Sequence, residues 1–261
     1  MPEDDDLALL IDAAKLAGAI ALRHWQAAPQ VWEKPDGQGP VSAADLEVNE
    51  MLATYLRSLR PGYGWLSEES EDDHARLATE CQFVLDPIDG TRSFLQGDNA
   101  FSHALAVVRR GQVVAGVVYL PAQDKLYAAT ANGPATLNGE KIGVSRRPSA
   151  EGAKVLTGKA MLSPDHWPGG LPNLHRHFRA SMAWRLCLVA EGAFDAMLTL
   201  RPSWEWDIAA GALIAARAGA VVTDRHGTAL HFNRADPRSP GTIAAAPGVH
   251  ADLIHRLTAT S

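Results

Sequence analysis

The residues best suited to chemistry lie in one short run, Asp86-Pro87-Ile88-Asp89-Gly90-Thr91. An apolar stretch, Phe83 to Leu85, delivers two carboxylates that stand three positions apart. Pro87 stiffens the link between them and Gly90 permits a sharp backbone turn. Thr91 then opens a short helix, Arg92-Ser93-Phe94-Leu95. Hard oxygen ligands held close together suit Mg²⁺, and N–H groups following the glycine suit a phosphate oxygen. The plainer reading is a strand end, an Asp-Gly turn and a helix cap. For an isolated D-x-x-D-G that reading would prevail; the complete hexapeptide favours metal and phosphate.

Further acidic residues qualify by company. Glu68-Glu69-Ser70 follows a second apolar segment, Gly64-Trp65-Leu66. Alone, such a pair is a solvated turn. Beside a carboxylate cluster, one of the glutamates becomes a candidate metal ligand. In Trp204-Glu205-Trp206-Asp207-Ile208-Ala209-Ala210-Gly211 the aspartate reads as a helix N-cap, a position from which it can also face a metal. Asp45, in Ser42-Ala43-Ala44-Asp45, reads as part of a capping box, and on these residues alone the cap outranks catalysis. The ten histidines include no H-E-x-x-H, and neither G-x-S-x-G nor G-x-x-x-x-G-K-[ST] occurs. Zinc hydrolases, serine esterases and P-loop enzymes are therefore disfavoured.

These residues need positioning elements, and hydrophobic periodicity supplies them. Leu7, Leu10, Ile11, Ala14, Ala17, Ile20 and Ala21 predict an opening amphipathic helix that ends before Pro29. The run from Lys34 to Pro40 has the composition of a mobile surface loop. A second helix starts at Ser42 and is stopped by Arg60-Pro61-Gly62. Strands are expected at Phe83–Leu85, Ala104–Val108, Val113–Leu120 and Lys125–Thr130, and the short connections among the last of these imply antiparallel hairpins. Asn138-Gly139 predicts another tight turn. After residue 150 strands and helices alternate: Val155–Thr157, helix Ser181–Glu191, Phe194–Leu200, helix Asp207–Ala218, Ala220–Thr223 and a closing helix Val249–Leu257. The expectation is an α+β first half, residues 1–150, and an α/β second half, residues 151–261.

Composition sets limits. The 261 residues carry a formal net charge of −6, which disfavours coating nucleic acid. An acidic protein that handles phosphate needs cations or oriented N–H groups to offset repulsion. Cys81 and Cys187 form no C-x-x-C and read as reduced, buried side chains. The N-terminus is acidic where a signal peptide would be basic, and the run Leu16–Leu22 is too short for a bilayer. A cytoplasmic protein without membrane or nucleic-acid partners is expected.

Taken in order, the segments resemble the inositol monophosphatase superfamily, which includes inositol monophosphatases, 3'(2'),5'-bisphosphate nucleotidases and fructose-1,6-bisphosphatases. The resemblance runs from Lys34 through Gly227. It rests on Pro40–Asp45, Leu66–Ser70, the Asp86 hexapeptide, Leu137–Ile142, and Trp206-Asp207 with the Ala-Ala-Gly that follows. It implies a layered αβαβα sandwich. It also implies that Glu68, Asp86 and the Ile88 carbonyl hold one Mg²⁺, and that Asp86, Asp89 and Asp207 hold a second. Glu68 would assist a third, weakly held ion. Thr91 and Asp45 would orient and activate the attacking water, and the N–H groups of Gly90 and Thr91, beside Asp89, would meet the phosphate. If the Thr91 hydroxyl donates to Asp45, its lone pair is left for the water. Family context thus reverses the preference at Asp45, where cap and catalysis are compatible.

The resemblance implies a small phosphate ester as substrate. Inositol monophosphatases often carry a glutamate seven positions before the second-half aspartate; here that position is Leu200. The stretches Leu186–Gly192 and Leu200–Asp207 look more like bacterial bisphosphate nucleotidases. In that reading Arg201 or Arg185 meets a second phosphate, Trp204 stacks on adenine and Ser181 touches substrate. Ala180-Ser181 departs from the family's usual Gly-Ser. Inositol-1-monophosphatase remains the alternative, with a catalytically idle phosphate-ligand binding module behind it. The resemblance further implies lithium sensitivity and allows a homodimer.

Overall fold

The computed structural model describes residues 2–34 and 39–259, so residues 35–38 of the loop expected at 34–40 lie outside it. Helix α1 (Pro2–His24) leads to a small hairpin, β1 (Val31–Glu33) and β2 (Pro40–Ser42), and then to α2 (Ala43–Leu59). A first sheet follows: β3 (Gly64–Ser67), β4 (Cys81–Asp89), then after α3 (Thr91–Leu95) β5 (Ser102–Arg109), β6 (Gln112–Leu120), β7 (Lys125–Thr130), β8 (Thr136–Leu137) and β9 (Glu140–Lys141). They lie side by side in chain order, with β3 parallel to β4 and every later pair antiparallel. Asn138 and Gly139 turn between β8 and β9 with φ of 50° and 87°, the left-handed pair that a two-residue hairpin favours.

The second half begins with β10 (Lys154–Leu156), β11 (His175–His177) and α4 (Met182–Ala190), then β12 (Ala196–Thr199). The chain continues through β13 (Ser203–Trp204), α5 (Glu205–Arg217), β14 (Val221–Thr223), β15 (Arg238–Ser239), β16 (Thr242–Ala245) and α6 (Pro247–Leu257). The second sheet runs β11-β10-β12-β16-β14, with β10 parallel to both neighbours and β16 antiparallel to both of its own. Strands β11 and β16 had no counterpart in the sequence reading.

Alternation of side chains explains the layers. In β4, Phe83 and Leu85 face α1 and α2, whereas Val84 faces α4 and α5. In the second sheet, Leu156, Met197 and Ala244 face α4 and α5, while Val155, Leu198 and Ile243 face α6. Each sheet is thus covered on both faces, which is why its strands read as unbroken apolar runs. The result is the αβαβα sandwich, with α4 and α5 as a middle layer shared by both sheets. Small residues allow that layer to pack closely: a Cβ at Gly211 would stand 2.7 Å from the Leu186 Cβ.

One boundary differs in a way that matters for the site. Helix α5 is capped by Trp204, not Asp207, so Asp207 is its third residue. The helix starts earlier because Glu205 is fixed by tertiary contacts that local sequence does not show. Cys81 and Cys187 are free and buried. No helix of the described residues is long and apolar enough to cross a membrane.

Candidate active site

Strand β4 is buried along its whole length and ends in the hexapeptide. Its pairing with β5 shifts between Asp86, opposite Ala104, and Asp89, opposite Ser102. Such an irregularity re-aims side chains that would otherwise alternate. The Ile88 N–H donates to Asp86 Oδ1 at 2.9 Å, closing the bend from within. Because β3 runs parallel to β4, it ends at the same level, and Glu68 N–H donates to the Leu85 carbonyl at 3.3 Å. Helix α5 brings Asp207 in from the middle layer. Carboxylate oxygens of Glu68, Asp86 and Asp207 lie within 4.8 Å of one another.

Asp89 stands beside this trio under firm control. Its Oδ2 accepts from Ser181 Oγ at 2.7 Å and from the Ala183 N–H at 2.7 Å. Ser181 is fully buried, caps α4 by accepting from the Trp184 N–H at 2.9 Å, and also meets Ser102 Oγ at 3.0 Å. The serine expected at the substrate therefore serves Asp89 and the helix instead.

Burial pushes the carboxyls of Asp86 and Asp207 well above the ordinary range, and neighbouring negative charges push further. For Asp86 those neighbours are Glu68, Asp89 and Asp207. Burial also raises Asp89 to about 6, against the pull of Ser181 and the α4 N–H groups. Among the described residues, no lysine or arginine forms an ion pair with Asp86, Asp89 or Asp207. Lys34 bridges Glu68 and Glu69 at 2.7 and 2.6 Å. Burial opposes the Lys34 charge, but the two glutamates outweigh it and its pKa rises. Crowded, buried oxygens that raise one another's pKa fit a divalent cation, which would favour their ionised forms.

A hydroxyl–carboxylate pair adjoins the cluster. Thr91 Oγ1 lies 3.2 Å from Asp45 Oδ1 and 3.1 Å from the Ile88 carbonyl. Asp45 Oδ2 accepts from the Ser42 N–H at 2.8 Å, and Ser42 caps α2 in return. Cap and partner to Thr91 thus occupy different oxygens of one buried carboxylate. Gly90 takes φ 98°, and a Cβ there would stand 2.9 Å from the Ala100 carbonyl.

These groups open into a cavity of about 940 Å³. Its lining includes Glu68, Asp89, Thr91 and Asp207 together with Arg92, Arg179 and Phe178. Arg201 and Trp204 are not among its lining residues. Arg201 is exposed. Trp204 stacks on Trp206 at 4.6 Å with the rings nearly parallel, and the Arg238 guanidinium lies 5.2 Å from its centroid, so both neighbours already engage the indole expected to stack on adenine. Arg185 is mostly buried and donates to the carbonyls of Arg179 at 2.6 Å and Ala180 at 3.1 Å. Its cation lies 4.4 Å from the Phe178 ring, so it braces the cavity wall from behind. Glu205, near Leu200 in sequence and the one carboxylate there that could replace the missing inositol-binding glutamate, is buried and accepts from the N–H groups of Asn233 and Arg234. Sequence reasoning passed over Arg92, Arg179 and Phe178. The available signal was their adjacency to the hexapeptide and to Ala180-Ser181.

The inositol monophosphatase family model matches residues 3–261. The chain belongs to the inositol monophosphatase family. It is 32% identical over 240 residues to the inositol-1-monophosphatase of Mesorhizobium japonicum, covering 85% of this chain and 86% of that one. It is 31% identical over 225 residues to the 3'(2'),5'-bisphosphate nucleotidase CysQ of Salmonella typhimurium, covering 84% and 90%. The solved Thermotoga maritima IMPase superposes with a TM-score of 0.82 at 28% identity, over 97% and 96% of the two chains. As a member of this family the chain is a metal-dependent phosphoric monoester hydrolase acting on small phosphate esters.

The electrostatics of this family member give a pH signature. Groups whose pKa is raised on folding stabilise the fold below their unfolded value, about 4 for Asp. That stabilisation is lost as pH rises through the folded value, about 6 for Asp89. Divalent cations need the ionised carboxylates. Mg²⁺ should therefore raise Tm clearly at pH 7.5 and much less at pH 5, as thermal melts of the chelator-treated protein would show. An equal gain at both pH values would contradict the carboxylate assignment.

Proposed function

We propose that this chain is a Mg²⁺-dependent phosphomonoesterase whose substrate is a 3'(2'),5'-bisphosphorylated nucleotide. Glu68, Asp86 and the Ile88 carbonyl hold one ion; Asp86, Asp89 and Asp207 hold a second, and Glu68 assists a third. Bound there, Mg²⁺ supplies positive charge against the phosphate oxygens and the leaving alkoxide. The chain's own groups do the rest. The Thr91 hydroxyl donates to Asp45 and presents a lone pair to the attacking water, whose proton passes through Thr91 to the Asp45 carboxylate, and the Gly90 and Thr91 N–H groups hold a phosphate oxygen. Residues 1–150 form the metal and phosphate part, and residues 151–261 recognise the rest of the substrate and lend Asp207.

The observation that carries the substrate is the composition of the cavity wall beyond the carboxylates. Arg179 and Arg92 offer cations to a second phosphate, and Phe178, 52% exposed, offers a ring face to a base. They take over the roles first assigned to Arg201 and Trp204. A ring of inositol hydroxyls would need buried carboxylate partners. Leu200 is buried in the outer core and Glu205 is occupied by backbone N–H groups. The second reading, inositol 1-phosphate, draws support from Gln96, Asp98 and Asn99 on the cavity rim and from the Mesorhizobium relative.

The test is a substrate panel of adenosine 3',5'-bisphosphate, inositol 1-phosphate and fructose 1,6-bisphosphate. The bisphosphonucleotide should give the highest kcat/KM. A charge-assisted contact is worth roughly 1.5–3 kcal/mol, so Arg179→Ala should lower that value on the order of ten- to a hundredfold relative to p-nitrophenyl phosphate. Preference for inositol 1-phosphate, or an equal loss on all substrates, would replace this reading with the second.

A further inference from the structure

Arg76 is the largest fully buried side chain among the described residues, and the phosphatase chemistry makes no use of it. It lies on the short 3₁₀ helix His74–Ala78, just beyond the turn that carries Glu68. Its Nε and one terminal nitrogen clamp the two oxygens of Asp72 at 2.6 and 2.7 Å. The guanidinium also donates to Asn233 Oδ1 at 2.7 Å and to the Arg234 carbonyl at 3.0 Å. On the other side of that segment, the Asn233 and Arg234 N–H groups donate to Glu205 at 2.7 and 3.1 Å. Asn233 holds a left-handed φ of 57°, so its N–H and side chain can face opposite partners. Glu205 is the first residue of α5 and Asp207 the third.

Four residues of chain lead from Glu68 to Asp72, and from there hydrogen bonds run through Arg76 and residues 233–234 to the start of the helix that carries Asp207. We propose that Arg76 and Glu205 are positioning residues that set the gap between Glu68 and Asp207, and so the affinity of the metal site. The proposal rests on the metal reading given above. Glu68 and Asp207 come from different halves of the chain, and no direct hydrogen bond joins them. Pairing with β4 fixes where β3 ends, and their spacing then depends on how the first turn of α5 is held against that end. Apolar packing of α5 on the sheet fixes the helix axis, but apolar contacts tolerate small sliding. Directional hydrogen bonds to a planar guanidinium do not.

The prediction is sharpened by charge. Arg76→Met removes a positive charge near a cation site, so electrostatics alone would tighten cation binding. Glu205→Gln removes a negative charge, so electrostatics alone would weaken it. A strut predicts weakening in both. Outer-shell partners of metal ligands are typically worth ten- to a hundredfold in affinity, so a loss of about tenfold is expected. Mn²⁺ binding would be followed by calorimetry on the chelator-treated full chain, with the Mg²⁺ concentration for half-maximal phosphate release as a second readout. The double variant should be little worse than the worse single variant, as for two parts of one connection. Arg76→Lys keeps the charge without the fork and should lie between wild type and Arg76→Met.

Asp195→Asn serves as the control for general destabilisation. Asp195 accepts from Ser145, Arg147 and the Lys154 N–H and lines no part of the cavity. It should lower Tm without moving Mn²⁺ affinity. If Arg76→Met does not fold, Arg76→Lys and Glu205→Gln carry the test. Unchanged Mn²⁺ affinity in those variants, with wild type binding normally, would overturn the strut alone. Opposite shifts in the two charge variants would overturn it in favour of simple electrostatics. Absence of Mn²⁺ binding by wild type would remove the metal reading, and the strut with it.

Discussion

Asp89→Asn should lower kcat on the order of a thousandfold or more while leaving the fold intact. The substitution keeps the shape, and the amide oxygen can still accept from Ser181 Oγ and the Ala183 N–H, which hold Asp89 at 2.7 Å each. In the proposed mechanism it removes one charge and one ligand oxygen from a site that stabilises developing negative charge. Metal ions used in this way contribute several kcal/mol, and each 1.36 kcal/mol is a tenfold change in rate. Stability should move the other way. Asp89 is among the charges that push Asp86 and Asp207 up, so its neutralisation relieves repulsion in the metal-free protein. Tm without Mg²⁺ should hold or rise, and the gain on adding Mg²⁺ should shrink. Near-normal turnover with Mg²⁺ would refute the placement of Asp89 at the metals.

Thr91→Ala and Asp45→Asn should each lower kcat by roughly a hundred- to ten-thousandfold, the usual span for a positioned proton acceptor. In the proposed mechanism the two act through a single contact, Thr91 Oγ1 to Asp45 Oδ1 at 3.2 Å. The double variant should thus be little worse than the worse single one. Asp45 also belongs to the α2 capping box, and its cap function has its own control. Ser42→Ala removes a cap side chain worth about 1 kcal/mol, so it should lower Tm and spare most of kcat. If Asp45→Asn behaves like Ser42→Ala, or if the two losses multiply fully, Asp45 is a cap and no more.

The parts legible in the sequence are those that local chemistry decides. The hexapeptide announces its own turn, since Gly90 is needed where φ is 98° and a Cβ would meet the Ala100 carbonyl. The apolar runs around Leu105 and Val117 are long and β-branched enough to read as buried strands, and the short run Phe83–Leu85 is marked by the acidic residues that end it. Ser42 to Asp45 carries the cap signature on its face. What escaped depends on contacts between distant segments. Strand β16 is only Thr242-Ile243-Ala244-Ala245, too small and alanine-rich to stand out, yet it is central to the second sheet. Asp207 sits two residues deeper in α5 than expected because Glu205 finds its partners at residues 233 and 234.

The cavity wall was the hardest to read for the same reason. Arg201 and Arg185 look equivalent in sequence, but one is exposed and the other is turned inward onto the carbonyls of residues 179 and 180. Trp204 has the chemistry to stack, but pairing of β13 with β15 sets it opposite Arg238 and its ring already stacks on Trp206. Ser181 is polar and close to the site, and its hydroxyl is already committed to Asp89.

The most direct test of the metal-dependent phosphatase is release of inorganic phosphate from p-nitrophenyl phosphate by chelator-treated protein as Mg²⁺ is added back, for wild type and Asp86→Asn in parallel. The account predicts a saturable rise from near zero for wild type and almost none for Asp86→Asn. Equal release without any divalent cation, or an undiminished response in Asp86→Asn, would contradict it.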